Sequence, residues 1–344
     1  MSLWRRFTIF RHRFARVCQL HIAFTCRGVP CRITLGNVLA VLLVLVSFFS
    51  LHALSLRYPL RTFTTGRRLY AAFIDSDVTI AQDTMLQLLP EHIQDRPKEF
   101  TVVILGLCRD NEQMLPRTMA SLHKIGKLFK NYQILILEND SVDQTPALLR
   151  QLAREDDHVH ALSLQLYDDT LPFQFGEKSK RRTYAMAKLR NRLVDMMRAA
   201  PYNTADYAIV VDMDLVTLPA ERAIQAAFRL NFDVVCAHGI NWHVHLFGGR
   251  RHYDDFAIQD MAGNRVRYAC STCGEPAIDP LELGPETPAL RLQSCFGGFA
   301  IYNRSIFDHC KYSGDDCEHL SFHMCAIDHG YEQIYLDPHM VLVR

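Results

Sequence analysis

The chain has 344 residues with 38 basic and 37 acidic side chains, so its formal charge at pH 7 is only +1. No acidic residue precedes Asp75, and from that point onward 27 basic residues stand against 37 acidic ones. The acidic body excludes the basic surface that a nucleic-acid-binding domain needs, and its size allows one large domain or two small ones.

The N-terminal part of the chain predicts a membrane anchor. Residues 1–34 are rich in Arg, and residues 35–54 form a charge-free and mostly apolar span. A span of about 20 such residues crosses the hydrocarbon core of a bilayer, and the arginines before it keep the N-terminus cytosolic. A cleaved signal peptide and a transit peptide are the alternatives. We expect a single-pass type II protein of the Golgi or ER membrane, with residues 55–98 as a stem and residues 99–344 as a lumenal domain.

Eight of the 11 cysteines follow the predicted anchor. An even number in an oxidising compartment permits disulfide bonds, although the sequence does not fix their pairing. Cys270 and Cys273 form a C-x-x-C pair, which a structural disulfide explains more simply than a redox site or half of a zinc site.

Two strand–helix units follow the stem. Apolar runs at residues 100–107 and 132–138 predict buried strands. Residues 114–130 have helical spacing, and Pro146 directly after a Thr opens a second helix. Strands that alternate with helices are typical of a parallel sheet with right-handed crossovers, so we predict an α/β fold.

Both strands run into polar segments that should meet at the carboxyl edge of the sheet, where α/β folds bind their ligands. The second segment, Glu138-Asn139-Asp140, offers carboxylates and an amide that suit ribose hydroxyls and a base edge. An ordinary turn before a helix is the alternative, because Asp and Asn favour such turns. The sequence leaves both interpretations open.

A basic run at residues 178–182 precedes a helix predicted over residues 184–200. Basic groups near an acidic site can hold phosphates as forks or point charges, and Arg190 and Arg192 are the candidates for this contact. A solvated helix face is the alternative for either residue.

Residues 207–216 read YAIVVDMDLV, an apolar and β-branched run interrupted by Asp212 and Asp214. Such a run predicts a buried strand of a parallel sheet, which places both carboxylates at the ligand-binding edge. Two close carboxylates repel each other unless a cation or proton lies between them, and Mg²⁺ or Mn²⁺ commonly bridges carboxylates to phosphates. The pattern favours a site for a metal ion and a diphosphate, with turn capping as the alternative.

The next segment is dense in aromatic and acidic residues, and it includes Trp242, Tyr253 and Asp254. This mixture suits a sugar acceptor, although aromatic loops also simply pack. Gly297 and Gly298 precede another predicted strand and mark a place where the backbone approaches a neighbour closely. We assign all five residues to the acceptor side.

Two further candidates lie near the C-terminus. Glu318 stands at a predicted helix start, where an acid also complements the helix dipole without any further role. His339 lies in the terminal segment and is either a ligand or a packed strand-end His.

The order of these parts resembles a GT-A glycosyltransferase: a nucleotide-binding βαβ half, an Asp-x-Asp pair, a double glycine, an acid at a helix start and a late His. The finer pattern is similar to the fungal capsule-associated α-1,3-mannosyltransferase family (glycosyltransferase family 69) over residues 100–303. The similar segments are 138–150 (ENDSVDQTPALLR), 187–192 (AKLRNR), 207–212 (YAIVVD), 232–236 (FDVVC), Tyr253-Asp254 with Asp260, and 295–298 (CFGG). The sequence departs from the fungal members at Asp212, where they often carry Asn.

The resemblance implies a GT-A-like, Rossmann-like fold with a mixed, mostly parallel sheet flanked by helices. It implies transfer of mannose from GDP-mannose to a glycan hydroxyl, with Mn²⁺ or Mg²⁺ as cofactor. Asp212, Asp214 and His339 would hold the metal on the diphosphate, where it offsets the charge of the leaving group. Glu318 would meet the acceptor hydroxyl as general base or as an orienting hydrogen-bond acceptor, so Glu318 and Asp214 are the predicted catalytic residues.

Three alternatives remain. Another sugar, such as xylose or galactose, fits the same parts. A non-catalytic glycan-binding or scaffold protein on a decayed fold is disfavoured, because decay should first remove acids such as Asp212, Asp214 and Glu318. A nucleotidyltransferase should carry a Gly-rich phosphate loop after the first strand, which residues 107–112 lack.

Overall fold

The computed structural model of the protein describes residues 21–26, 29–34, 90–166, 180–242, 250–265, 283 and 287–344. The chain divides into two compact units, Met1–Gly66 and Arg67–Arg344. In the first unit, strands β1 (His21–Cys26) and β2 (Val29–Thr34) pair antiparallel. Within the described residues, no helix is both long and apolar enough to span a bilayer. The predicted anchor at residues 35–54 lies outside them.

The second unit alternates strands with helices, as the sequence predicts. Its strands are β3 (Thr101–Cys108), β4 (Asn131–Asn139), β5 (Val159–Leu164), β6 (Tyr207–Asp212), β7 (Val234–Trp242), β8 (Arg250–His252), β9 (Leu290–Arg291), β10 (Phe299–Asn303) and β11 (Ile334–Val343). Its helices are α1 (Glu91–Gln94), α2 (Leu115–Gly126), α3 (Thr145–Glu155), α4 (Lys180–Arg198), α5 (Glu221–Ala227), α6 (Ile306–His309) and α7 (Glu318–Asp328), with 3₁₀ turns at Arg96–Glu99, Tyr202–Thr204 and Asp255–Ala257.

The strands of the second unit form one mixed sheet in which β5, β4, β3 and β6 lie side by side and parallel. β10 pairs antiparallel with both β6 and β7, and β7 pairs parallel with β11. The short strands β8 and β9 pair antiparallel with β7 and β11, respectively. The prediction of a mixed, mostly parallel sheet is therefore confirmed, and the carboxyl ends of β3, β4 and β6 meet at one edge.

Helices cover both faces of this sheet because alternate residues of a strand point in opposite directions. On β3, Val103 and Leu105 pack in an apolar cluster with α4 and α7. Val102 and Ile104 pack in a second cluster with α2 and α5. Full burial of a side chain of this kind stabilises the fold by about 1.5–3 kcal/mol. The sheet and both helical layers thus hold the carboxyl edge in a fixed position.

Two disulfide bonds lie in the described part of the second unit. Cys236 on β7 is bonded to Cys295, which precedes the double glycine, and Cys310 is bonded to Cys325 on α7. The structure thus supplies pairings that the sequence leaves open. The predicted C-x-x-C pair at residues 270–273 lies outside the described residues.

Candidate active site

The turn that follows β6 is held from several sides. The backbone N–H of Asp212 donates to Gly298 O at 2.9 Å. The buried side chain of Asn111 donates to Met213 O at 2.7 Å. Gly106 on β3 leaves room for the Met213 side chain, since a Cβ there would lie 2.6 Å from its sulfur. The backbone beneath the two aspartates is therefore fixed.

The two aspartate side chains belong to one hydrogen-bonded chain of groups. Tyr253 donates its hydroxyl to Asp212 Oδ2 at 2.7 Å and accepts Arg344 Nη1 at 2.9 Å. Arg344 Nη2 donates to Asp214 Oδ2 at 2.6 Å. Burial, followed by the charge of Asp212, raises the pKa of Tyr253 well above its usual range, so the hydroxyl remains a donor. Tyr253 and Arg344 therefore connect the two carboxylates, and the Asp214 side chain is 50% exposed.

Arg190 connects this pair to Glu318. Its Nη2 lies 3.3 Å from Asp212 Oδ1, and its Nε lies 3.2 Å from Glu318 Oε1. The Arg190 side chain is only 4% exposed, so the structure places it behind Asp212. In the structure the Arg190 guanidinium pairs with two carboxylates, and the predicted contact of Arg190 with a phosphate stays a prediction. Glu318 opens α7 as predicted, and it too is buried.

Acidic side chains accumulate at this edge. Burial raises the pKa of Asp212; the charge of Arg190 opposes this shift, and the charge of Asp214 adds to it. Burial also raises the pKa of Asp254 well above its usual range, and the charges of Glu318 and Asp212 increase the shift. A cluster of this kind stabilises a bound cation, because each carboxylate is unfavourable beside the others when no positive charge is near.

The double glycine allows a close approach, as predicted, but the neighbour is the protein itself. Gly297 and Gly298 have φ values of 64° and 88°, which a residue with a Cβ rarely adopts. A Cβ at Gly297 would collide with Ala237 O, and one at Gly298 would lie 2.8 Å from Tyr253 Cε1. The glycines thus bring Tyr253 over Asp212, and the structure gives no support to their predicted contact with an acceptor.

The segment after β4 uses its polar atoms internally. Glu138 Oε1 accepts the Ser141 N–H at 2.8 Å, and Asn139 Nδ2 donates to Asp140 Oδ2 at 3.1 Å. Asp140, with a φ of 51°, accepts the Leu166 N–H at 2.8 Å. These hydrogen bonds agree with the alternative that the segment forms a turn. A nucleotide contact of these three residues stays a prediction.

Three further residues were predicted to contact the donor or the acceptor: Arg192, Trp242 and Asp254. Arg192 lies on α4, two positions after Arg190. Trp242 ends β7, and its side chain is outside the described part of the structure. Asp254 follows Tyr253 with a left-handed backbone, φ 64°, and its carboxyl lies near enough to Asp212 to feel its charge. Of these three, the structure brings Asp254 to the cluster.

His339 is directed to another partner. Its Nδ1 lies 2.8 Å from Asp337 Oδ1, and Asp337 also pairs with Arg229 at 2.9 Å. Among the described residues, Asp212, Asp214 and His339 do not form a group whose ligand atoms all lie within 4.8 Å of one another. A metal contact of Asp212, Asp214 and His339 therefore stays a prediction, and the imidazole of His339 is paired with Asp337.

Sequence reasoning missed two residues of the site. Arg344 reaches Asp214 because β11 lies parallel to β7, and its own N–H donates to Ile240 O at 3.0 Å. Asn111 supports Met213 from the loop after β3. Neither residue has a motif around it, so only the pairing of the strands reveals them.

The aspartate pair fits a hard divalent cation. Carboxylate oxygens are the ligands that Mg²⁺ and Mn²⁺ prefer, and each oxygen has two lone pairs, so one contact does not exhaust it. Positive groups already lie against both side chains, Arg190 at Asp212 and Arg344 at Asp214. These two guanidinium groups offset part of the negative charge of the aspartate pair.

Comparison with known proteins gives one family and several remote folds. The model of the family described as Cryptococcal mannosyltransferase 1 matches residues 101–332, which begin at β3 and end just before β11. No curated protein matches the chain.

Three solved structures illustrate the remote similarity. TarS 1-349 from S. aureus is 14% identical with a TM-score of 0.40, and the match covers 70% of this chain and 59% of that one. Its complex with UDP is 12% identical with a TM-score of 0.42, covering 71% and 60%. The mannosyltransferase PcManGT from Pyrobaculum calidifontis, in complex with GDP-Man and Mn²⁺, is 11% identical with a TM-score of 0.41, covering 81% and 68%. The chain spans less than two thirds of the TarS structures.

The family match decides the identity of the chain. It includes both aspartates, Arg190, Tyr253 and Glu318, and it extends over more than half of the 344 residues. The resemblance to capsule-associated mannosyltransferases is thereby confirmed. The chain belongs to the Cryptococcal mannosyltransferase 1 family and is a glycosyltransferase.

Proposed function

We propose that the protein transfers mannose from GDP-mannose to a hydroxyl of a glycan acceptor, with Mn²⁺ or Mg²⁺ held by Asp212 and Asp214. One observation carries this proposal: both carboxylates share a single hydrogen-bonded network at the carboxyl edge of β6. The choice of mannose follows from the family, whose description names a mannosyltransferase.

Asp212 and Asp214 have different roles in the proposed metal site. Asp214 is the more accessible carboxylate, and Asp212 is oriented by Tyr253 and Arg190. When bound, the metal offsets the negative charge that develops on the leaving nucleotide diphosphate. Pre-orientation of both ligands reduces the reorganisation that this stabilisation requires.

Glu318 is the proposed partner of the acceptor hydroxyl, either as general base or as an orienting hydrogen-bond acceptor. Its Oε1 atom is bound to Arg190, which fixes the direction of the carboxylate. Asp254 lies close enough to feel its charge. The acceptor hydroxyl is therefore expected near these two acids.

A membrane anchor at residues 35–54 and a lumenal catalytic unit in the Golgi or ER complete the proposal. The two disulfide bonds support it, because such bonds persist in oxidising compartments and are rare in the cytosol. Protease treatment of sealed vesicles should leave the second unit intact until detergent is added. Digestion without detergent would place this unit on the cytosolic side.

The activity is tested with the full-length chain in detergent and a panel of sugar nucleotides, by measuring the nucleotide diphosphate released with and without a glycan acceptor. We expect release from GDP-mannose that stops with a chelator and returns with Mn²⁺. Asp214→Ala should lower the rate by on the order of 10²–10³-fold, whereas Asp157→Asn, an exposed acid after α3, should not. Wild-type turnover in Asp214→Ala would exclude the metal role.

A further inference from the structure

Arg190 is the group through which the aspartate pair and Glu318 are joined. Its guanidinium contacts Asp212 through Nη2 and Glu318 through Nε. A guanidinium presents its N–H donors in a rigid planar fork, so one Arg holds two carboxylates at a set distance and angle. An ammonium group is a point charge on a flexible stem and imposes no such angle.

The side chain of Arg190 is itself held in place. Its guanidinium lies 5.1 Å from the ring centroid of Phe296 and 5.9 Å from that of Tyr312. The next residue on α4, Asn191, exchanges two hydrogen bonds of 2.9 Å with the backbone of Tyr312. The helix that carries Arg190 is therefore fastened to the segment that leads into Glu318.

The positive charge of Arg190 compensates the negative charges of Asp212 and Glu318. Without this cation, the half-buried carboxylate of Asp212 and the buried carboxylate of Glu318 would lose their shared partner, with Asp254 as a third acid nearby. Uncompensated buried charges are strongly unfavourable, so the carboxylates would turn away from each other or take up a proton. Either response changes the geometry of the metal ligand and of Glu318 together.

We propose that Arg190 is a positioning residue that fixes Asp212 and Glu318 relative to each other, so that the donor and the acceptor hydroxyl meet in one geometry. This inference rests on the proposed function. Because Arg190 is 4% exposed, it acts through the two carboxylates rather than by contact with the donor.

The test compares Arg190→Ala and Arg190→Lys with Arg198→Gln in the full-length chain. Arg198 lies in the last turn of the same helix and donates to Phe307 O, outside the site. Arg190→Ala should lower kcat by on the order of 10²-fold, the effect of misplaced catalytic groups. Guanidinium chloride at millimolar concentration should restore part of this loss, because the free ion fits the space left between the carboxylates. Arg190→Lys should recover little, and Arg198→Gln should keep its kcat and show no response to guanidinium.

Two kinetic results overturn the proposal: wild-type kcat in Arg190→Ala, or a loss of kcat that guanidinium does not reduce in a folded variant. A second measurement does not depend on activity. Guanidinium at millimolar concentration should raise the Tm of Arg190→Ala, since a ligand that binds only the folded state stabilises it, and should not raise that of the wild type or Arg198→Gln. Absence of this stabilisation also overturns the proposal. A wild-type chain that turns over no sugar nucleotide refutes the proposed function instead, and the Tm shift then decides alone whether the two carboxylates hold a guanidinium.

Discussion

Two acidic segments follow buried parallel strands at the same edge of the sheet, yet the structure uses them differently. At the end of β4, the carboxylates of Glu138 and Asp140 accept the backbone N–H groups of Ser141 and Leu166, respectively. After β6, Asp212 and Asp214 are bound through their carboxylates by side chains that lie from 22 to 130 residues away.

The type of partner therefore distinguishes a turn from a site. A carboxylate that accepts a backbone N–H fixes the path of the main chain, as Glu138 does within its own turn and Asp140 does at Leu166. A carboxylate that binds several distant side chains fixes the elements that carry these side chains relative to each other. At the edge after β6, the Asp214 side chain also stays 50% exposed. The aspartates after β6 have this second arrangement, so they are the better candidates for direct contact with a ligand.

The largest expected effect is a difference in kcat between substitutions in the two acidic segments. Asp212→Asn removes the charge of a proposed metal ligand and should lower kcat by on the order of 10²–10³-fold. Asp140→Asn weakens a hydrogen bond to Leu166 and should lower the free energy of unfolding by about 1 kcal/mol, with kcat reduced by less than about tenfold. Steady-state kinetics and denaturant titration of both variants measure these changes. Equal losses of kcat would mean that the two segments contribute alike to activity.

Tyr253→Phe should have the next largest effect, because the hydroxyl both orients Asp212 and binds Arg344. An unsatisfied buried partner costs about 1–3 kcal/mol, which corresponds to about a 5- to 150-fold loss of kcat if the whole cost falls on the transition state. Tyr202→Phe is the control, since Tyr202 packs on His160 outside the site. A Tyr253→Phe enzyme as fast as the Tyr202→Phe control would show that Asp212 needs no such support.

Gly298→Ala should disturb the position of the Tyr253 ring, and through it the orientation of Asp212. A left-handed backbone costs a residue with a Cβ about 1–2 kcal/mol, and this Cβ would also displace Tyr253. Gly263→Ala is matched in backbone strain, with a φ of 83° and nothing within 4 Å of the added Cβ. Both variants should lose stability in denaturant titration, and only Gly298→Ala should also lose kcat, by about tenfold. An equal kcat in the two variants would contradict a role for the glycine in placing Tyr253.

The smallest effect concerns the cation affinity of Asp214. In the proposed metal site, Arg344 and a divalent cation compete for the carboxylate of Asp214. Arg344→Gln should therefore bind Mn²⁺ about two- to fivefold more tightly, as the strength of a partly exposed ion pair suggests. Electron paramagnetic resonance of free Mn²⁺ measures this affinity. Arg291→Gln is the control, because its ion pair with Glu332 is exposed. Weaker binding by Arg344→Gln would mean that the Arg supports the metal rather than competing with it.

Much of the fold was predictable because it is encoded locally. The apolar strands and the helical spacing of α2 and α4 are visible in short windows of sequence. The position of the aspartate pair was also predictable, because residues directly after a buried parallel strand lie at the ligand-binding edge of the sheet. The places of Arg190 and His339 were not, since burial and the choice of partner depend on how distant elements pack. Charge alone suggested a phosphate contact for Arg190, whereas packing against Phe296 and Tyr312 made it a buried link.

The position of β11 has a consequence for folding of the protein during its synthesis on the ribosome. This strand is made late, yet it pairs in parallel with β7, and the residue directly after it completes the contacts of Asp214. Contacts between segments so far apart in sequence form only after the intervening chain has been synthesised and closed into a loop. A nascent polypeptide that has reached only α7 already contains both aspartates but lacks this neighbour, so we expect the mature geometry around them to arise only after translation has passed the final strand.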